Sequence, residues 1–347
     1  IIYALVSKNY MNNPISCGGD KDPHIDRWRY LDQRDQPHNA HYFEWKYFNF
    51  IQGDLAGYVV YYIADPEAKT KFGGGRLLVR VFKGNKVVGS IKKIGVDCVR
   101  LYPSSANVSM GNATILEKAP CHYALEGTFE DVSWNLNYYQ QTPSIESFSD
   151  INPGLLRWEK TGWLIKMPKA KVEGEIRIGD ENFKITGSGY SDTNWGTTMP
   201  LFSRYEWGQF NDDRCSFVFG ILYGLRNATG AYCYLTIDGK VIALENATSH
   251  SEHTAWARDA QTGLKIPVES VVTIKDQHYT VKFSTRLLAN DTVGMKISSF
   301  LPKSAVSEQI VEYNGTAEKD GEKIREFHGR GFREWSTRTW RKVPLLF

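Results

Sequence analysis

The stretch "GSGYSDTNWGTTMPLFSRYEWGQF", residues 187–210, concentrates the side chains best suited to chemistry. Tyr190 and Asp192 stand two apart, so on an extended backbone both point to one face. Tyr205 and Trp207 share a face on the following run by the same rule. An Asp hemmed by Trp195 and Tyr205 would be desolvated, which suits a proton donor. Tyr190 or Tyr205 could hydrogen-bond a carbonyl beside it, or help a hydroxyl leave as water. Trp163, Asn194, Trp195, Trp207 and Gln209 would line such a pocket with an apolar wall and a few fixed polar tips. The competing reading is architectural. In it Asp192 caps a turn by accepting backbone N–H groups, Asn194 and Trp195 anchor a crossover, and Trp163 and Trp207 belong to the core.

Other chemistries find less support. His38 with His41, and His250 with His253, each offer two imidazoles, but no carboxylate spacing completes a site. There is no CxxC or CxxH pair, so no structural zinc site is expected; the reading calls for no metal and no cofactor. Gly73–Gly75 lacks the Gly-Lys-Ser/Thr and helix of a phosphate cradle, and no Gly-x-Ser-x-Gly elbow supports a hydrolase triad. A net charge of +3 spread along 347 residues makes no case for nucleic acid. No apolar run reaches the roughly 18 residues of a membrane span.

The elements that must carry these residues read as strands. Aromatic residues make up 13% of the chain, a composition that favours pleated, half-buried surfaces. "HYFEWKYFNF" and "GYVVYYIADP" flank a break at Gly53-Asp54, and "RLLVRVFKGNKVVGSIKKI" turns at Gly84-Asn85. "KVEGEIRIGDENFKITGSGY" alternates around residues 179–182, and "AYCYLTIDGKVIAL" turns at Asp238-Gly239. Only "SIESFSDIN" and "PKSAVSEQIVEY" could hold a short helical turn, and "WRKVPLLF" reads as a last strand. Many short strands with regular turns predict an all-β protein of two sandwich or barrel domains, residues 1–200 and 201–347. "SDTNWGTTMPLFS" is expected to be the connection, with Tyr190, Asp192 and Trp207 lining a cavity at the seam.

The chain opens on Ile1, and Asn-x-Ser/Thr sequons occur at Asn107, Asn112, Asn227, Asn246, Asn290 and Asn314. Together they lead us to expect a processed glycoprotein, secreted or lumenal. The five cysteines fit an oxidising compartment. Cys98 and Cys121 flank the loop carrying Asn107 and Asn112 and are expected to pair, with Cys17 as the alternative partner of either.

"GSGYSDTNWG" followed by "YEWGQF" resembles the Gly-Tyr-x-Asp-x-Asn-Trp-Gly signature of the tandem-lipocalin (calycin-like) superfamily of carotenoid 1,2-hydratase and fungal Diels–Alderases. "FEWKYFNF" is similar to the first-strand motif of that superfamily, with Lys46 where a second Trp is usual. The resemblance implies two lipocalin-like β domains, an apolar ligand cavity, and acid/base roles for Tyr190 and Asp192. It also shows departures: Thr161 and Thr193 stand where the hydratases carry His. Those losses turn the expectation toward a cofactor-free cyclase of fungal specialised metabolism, whose barrier falls through positioning and a few hydrogen bonds. Its substrate would be an apolar polyene, terpenoid or polyketide. An isoprenoid hydratase or dehydratase, or a secreted lipid or pigment carrier without activity, are the alternatives.

Overall fold

The computed structural model describes residues 25–33, 42–69, 73–151, 161–197, 204–223, 228–295, 303–339 and 341. Their strands fall into two compact units, one within Asn12–Pro200 and one within Leu201–Phe347.

The first unit opens with a short segment, 25–33, that ends in helix α1 (Tyr30–Gln33). Its strands are β1 (Phe43–Gln52), β2 (Leu55–Ala64), β3 (Gly74–Lys83), β4 (Lys86–Val88), β5 (Ile91–Ile94), β6 (Val99–Leu101), β7 (Val108–Met110), β8 (Ala113–Ala119), β9 (His122–Phe129), β10 (Val132–Gln140), β11 (Ile145–Ile151), β12 (Thr161–Ile178) and β13 (Glu181–Gly196). The second unit contains β14 (Arg204–Asn211), β15 (Cys215–Tyr223), β16 (Ala228–Ile237), β17 (Lys240–Leu244), β18 (Thr248–Arg258), β19 (Lys265–Lys275), β20 (Tyr279–Met295), β21 (Lys303–Lys319) and β22 (Glu322–Thr339).

Each unit is one antiparallel sheet in which the first strand pairs with both the second and the last. The orders are β4-β3-β2-β1-β13-β12-β10-β9-β8-β7-β6, with β11 on β12 and β5 on β3, and β17-β16-β15-β14-β22-β21-β20-β19-β18. Twist curls each sheet into a half-barrel, so one face becomes a lumen. Tyr61 on β2 reaches across the first lumen to donate to the Thr114 carbonyl on β8, at 2.9 Å. Phe48, Tyr61, Leu77, Ile115, Leu136 and Leu164 pack in that lumen, and Phe210, Phe217, Phe283 and Tyr313 in the second. The expected turns are present. At Asp238-Gly239 both residues take positive φ, +48° and +82°, the geometry that matches strand twist in a two-residue hairpin.

Several expectations need correction. The signature is no turn: Glu181–Gly196 is one strand of 16 residues. Both of its faces are buried around residues 189–193, so it lacks the polar alternation that marks a half-exposed strand. Residues 145–151 of "SIESFSDIN" and 303–313 of "PKSAVSEQIVEY" likewise lie in β11 and β21, where pairing with neighbours overrides local helical preference. The last strand ends at Thr339, and most of "WRKVPLLF" lies outside the described residues.

Cys98 is a free, exposed thiol, whereas Cys121 is in a disulfide, so the Cys98–Cys121 bridge does not form. Cys98 lies beside the β7–β8 turn and Cys121 at the far end of the seven-residue β8. At about 3.3 Å per residue that is roughly 20 Å, far beyond disulfide reach. Cys17 lies outside the described residues.

Among the described residues, each lumen is crossed by one fully buried ion pair. In the first, the Lys46 ammonium donates to Asp26 Oδ1 at 2.7 Å and to Thr193 Oγ1 at 3.2 Å, and Tyr123 Oη donates to Asp26 Oδ2 at 3.1 Å. Nearby, Glu44 accepts from the Arg29 and Tyr30 amides and the Tyr42 hydroxyl, while Trp28 Nε1 donates to the Ala106 and Asn107 carbonyls. Segment 25–33 thereby plugs the lumen. In the second unit Arg333 spans from Glu206 on β14 (2.7 Å) to Ser270 on β19 (2.9 Å) and Thr285 on β20 (3.1 Å). Glu206 also accepts from Tyr223, and from Ser251 on β18 at 2.9 Å.

Breaking a buried pair from one side strands the other charge. Asp26→Leu should therefore cost about 3–5 kcal/mol in urea unfolding. Adding Lys46→Met should recover most of it, and a double mutant no more stable than Asp26→Leu would contradict the coupling. Acid should act on the second pair. Burial pushes the Glu206 carboxyl up, but Arg333, His253 and Tyr223 outweigh it and bring it from 4.5 down to about 2. Its folded value lies below its unfolded one, so this stabilisation is complete above about pH 4.5 and is lost as pH falls toward 2. The melting temperature of Glu206→Gln should depend less steeply on pH across that window than that of the unsubstituted protein.

Candidate active site

Strand alternation sorts the candidate residues onto two faces of the first sheet. On β1, Glu44, Lys46, Phe48 and Phe50 point into the lumen, as does Tyr42 just before it, and Phe43, Trp45, Tyr47 and Asn49 point outward. Register carries this across to β13: Lys46 is opposite Thr193, Tyr47 opposite Asp192, and Asn49 opposite Tyr190. Tyr190 and Asp192 therefore lie on the outward face, yet Tyr190 is fully buried and Asp192 only 5% exposed.

There Asp192 Oδ2 accepts from the Tyr190 hydroxyl at 2.8 Å and from Trp163 Nε1 on β12 at 2.9 Å. An aromatic surface surrounds this group. Tyr47 meets Tyr190 edge-on at 6.2 Å and stacks on Tyr58 at 5.7 Å, while Phe148 lies against Trp163 at 6.1 Å. Asn194 follows on the same face, opposite Trp163 and Trp45. At the edge, burial raises the Tyr62 phenol, with Arg76 pulling it back, and burial lowers Arg76 in turn. The arrangement is one carboxyl gripped by two donors in an aromatic wall. It can hold a proton acceptor in fixed geometry beside an apolar molecule.

The structure thus brings Tyr190, Asp192 and Trp163 together, as the sequence suggested, but not Trp195. That ring points into the lumen, lies flat over Gly162 on β12, and carries the Arg29 guanidinium 5.0 Å from a ring centroid. A Cβ on Gly162 would stand 2.2 Å from the Trp195 ring, so this packing needs glycine. Trp195 is a core residue and cannot share a pocket wall with Asp192. Thr193 likewise faces the lumen, on the Lys46–Asp26 pair.

Tyr205, Trp207 and Gln209 sit on β14 in the second unit, on the face opposite Glu206. Trp207 is directly across from Glu334, which in turn faces Glu308 on β21. Burial raises the Glu334 carboxyl despite its hydrogen bonds with Glu308 and Tyr205. Sequence reasoning missed this carboxyl pair and the Lys46–Asp26 pair. The signal for Lys46 was available: it shares the period-two face of Tyr42 and Phe48, where a charge needs a partner.

Of the sequons, Asn112, Asn246 and Asn314 are exposed, and Asn227 lies outside the described residues. Asn107 is half-buried and its side-chain carbonyl accepts from the Glu117 amide at 2.6 Å. Asn290 departs from the expectation: its amide nitrogen donates to Asp259 at 3.0 Å and Thr292 at 3.2 Å, and a glycan, which replaces one of the two amide hydrogens, would remove one of these bonds.

No protein-family model and no curated protein sequence matches the chain. Solved structures do. A Nitrosomonas europaea protein described as an AttH (NE1406) superposes with a TM-score of 0.62 at 18% identity, covering 93% of this chain and 98% of that one. CghA, solved with Sch210972, gives 0.61 at 11% identity, covering 86% and 88%. The fold is that of the tandem lipocalin-like proteins. In this tandem lipocalin-like chain the aromatic face around Asp192 is the candidate site, and the first lumen is filled by its own side chains.

Trp163→Phe keeps the ring and removes one of the two bonds to Asp192 Oδ2. It should lower stability by about 1–3 kcal/mol in denaturant titration; an unchanged midpoint would mean that the indole N–H is not engaged.

Proposed function

We propose that the chain is a cofactor-free cyclase of the Diels–Alderase kind, acting on an apolar polyene, terpenoid or polyketide on the outward face of β12, β13 and β1. The observation that carries this reading is the Tyr190–Asp192–Trp163 group within a buried aromatic surface. Rings such as Tyr47 and Tyr58 would fold the hydrocarbon into a near-attack shape, which removes entropy from the barrier before reaction. The Tyr190 hydroxyl, which donates to Asp192, would take the proton of a substrate hydroxyl or enol. As that proton moves to Tyr190, the Tyr190 proton moves to Asp192, leaving an electron-rich substrate oxygen that speeds ring closure. Likeness of fold to CghA, solved with the small molecule Sch210972, supports a small-molecule ligand. Entry into the secretory pathway of a fungus is also proposed, supported by the exposed Asn112, Asn246 and Asn314 and the Cys121 disulfide.

The same proton path would serve addition or loss of water, so an isoprenoid hydratase or dehydratase is the second reading. Isotope from labelled water in a product hydroxyl would distinguish it. A carrier holding lipid in the first lumen is disfavoured, because segment 25–33 and the core rings occupy that space.

Incubation with a linear polyene precursor tests the main reading. A product ratio and stereochemistry equal to the uncatalysed reaction would sink it. Asp192→Asn retains an oxygen for both donors but is a far weaker base. Turnover should fall at least tenfold, about 1.4 kcal/mol in barrier, with the melting temperature nearly unchanged. A lowered melting temperature with unchanged turnover per folded molecule would instead make Asp192 an anchor.

A further inference from the structure

The second lumen ends in a polar and aromatic mouth that the reading above does not use. Arg333 and Gln309 face each other across the β22–β21 pair, both pointing inward and both almost fully buried. Arg333 gives Nη1 and Nη2 to Ser270, Thr285 and Glu206, yet its Nε–H has no acceptor among the described residues. Gln309 Nε2 lies 3.4 Å from the Pro267 carbonyl and 3.3 Å from Ser307 Oγ, yet its Oε1 has no donor among the described residues. An unmet donor and an unmet acceptor thus stand on adjacent strands of one face. Buried polar atoms without partners are costly and rare, so a pair of them calls for a group that satisfies both.

Aromatic rings line the way out. Pro267 is paired with Trp256 on β18, which is 38% exposed at the lip. The His253 ring lies against Trp256 at 5.0 Å and Trp335 at 4.7 Å, and the two indoles are 5.7 Å apart. The Lys265 ammonium sits 4.4 Å from the Trp256 ring centroid. The Glu206 carboxylate is already met by Arg333, Tyr223 and Ser251, so the mouth has little need of a charged guest.

We propose that this mouth is a second binding site, taking a neutral hydroxylated aromatic molecule of the phenol class. One hydroxyl satisfies both unmet atoms, accepting from Arg333 Nε–H and donating to Gln309 Oε1. The attached ring packs against Trp335 and Trp256. A charged carboxylate would lack a proton for Gln309, and a plain hydrocarbon would leave both polar atoms unmet.

Calorimetric titration of the full chain with p-cresol, using toluene as the control, tests this. One saturable p-cresol site is expected, with toluene at least tenfold weaker. Gln309→Met should weaken p-cresol at least tenfold, and Asp192→Asn should leave it unchanged. Should Gln309→Met not fold, Trp256→Ala at the exposed lip gives the second reading, with a loss of several-fold. Absence of saturable binding, equal affinity for toluene, or binding unaffected by both mouth variants would overturn the site. Loss of binding in Asp192→Asn would also overturn it, by assigning the p-cresol to the first unit's aromatic face.

Discussion

A curled antiparallel sheet that does not close its backbone ladder has to be closed by side chains, and in both units the closure runs through buried charge. Arg333 reaches from β22 to β14, β19 and β20, and Glu206 extends the tie to β18. In the first unit the plug does the same work through Asp26, which binds Lys46 on β1 and Tyr123 on β9. Charges this deep lose their hydration, so they are stable only with every partner in position. A hydrophobic lumen would tolerate a slipped strand more readily, since apolar contact has no direction. The ion pairs therefore select one register, and the outward face inherits its geometry from them.

Strand β13 makes that inheritance concrete. Thr193 faces the Lys46–Asp26 pair, while Asp192 and Tyr190 point the other way into the aromatic surface. A one-residue slip of β13 would exchange the two sets and place Asp192 in the lumen. Trp195 over Gly162 adds a steric lock to the electrostatic one. The signature motif is thus half scaffold and half candidate site, divided by alternation rather than by position along the chain.

This division explains what the sequence could and could not convey. The all-β class and the hairpins at Gly53, Gly84, Gly179 and Asp238-Gly239 were legible, since period-two patterns and turn residues act locally. The meeting of Tyr190 and Asp192 was legible for the same reason. Trp195 was misassigned because its neighbours in sequence were treated as neighbours in space, although adjacent strand residues face opposite ways. The Asn194–Gly196 end of β13 looked like a loop because Gly, Asn and Thr are common in turns, and pairing on both edges overrode that preference. Lys46 and Asp26 lie 20 positions apart with no element periodicity joining them, and only the plug's path brings them together. Arg333 and Glu206, 127 positions apart, were equally out of reach.

The distribution of thiols gives the protein a built-in reporter of its own opening. Cys98 is an exposed thiol, whereas Cys215 and Cys233 are thiols buried inside the second lumen, where burial pushes the Cys233 thiol up and suppresses its thiolate. A maleimide, by alkylation, or a disulfide reagent, by exchange, can therefore label Cys98 in the native state and reaches the inner pair only when the second unit breathes. The rate at which these extra sulfurs acquire label reports the opening of the second unit.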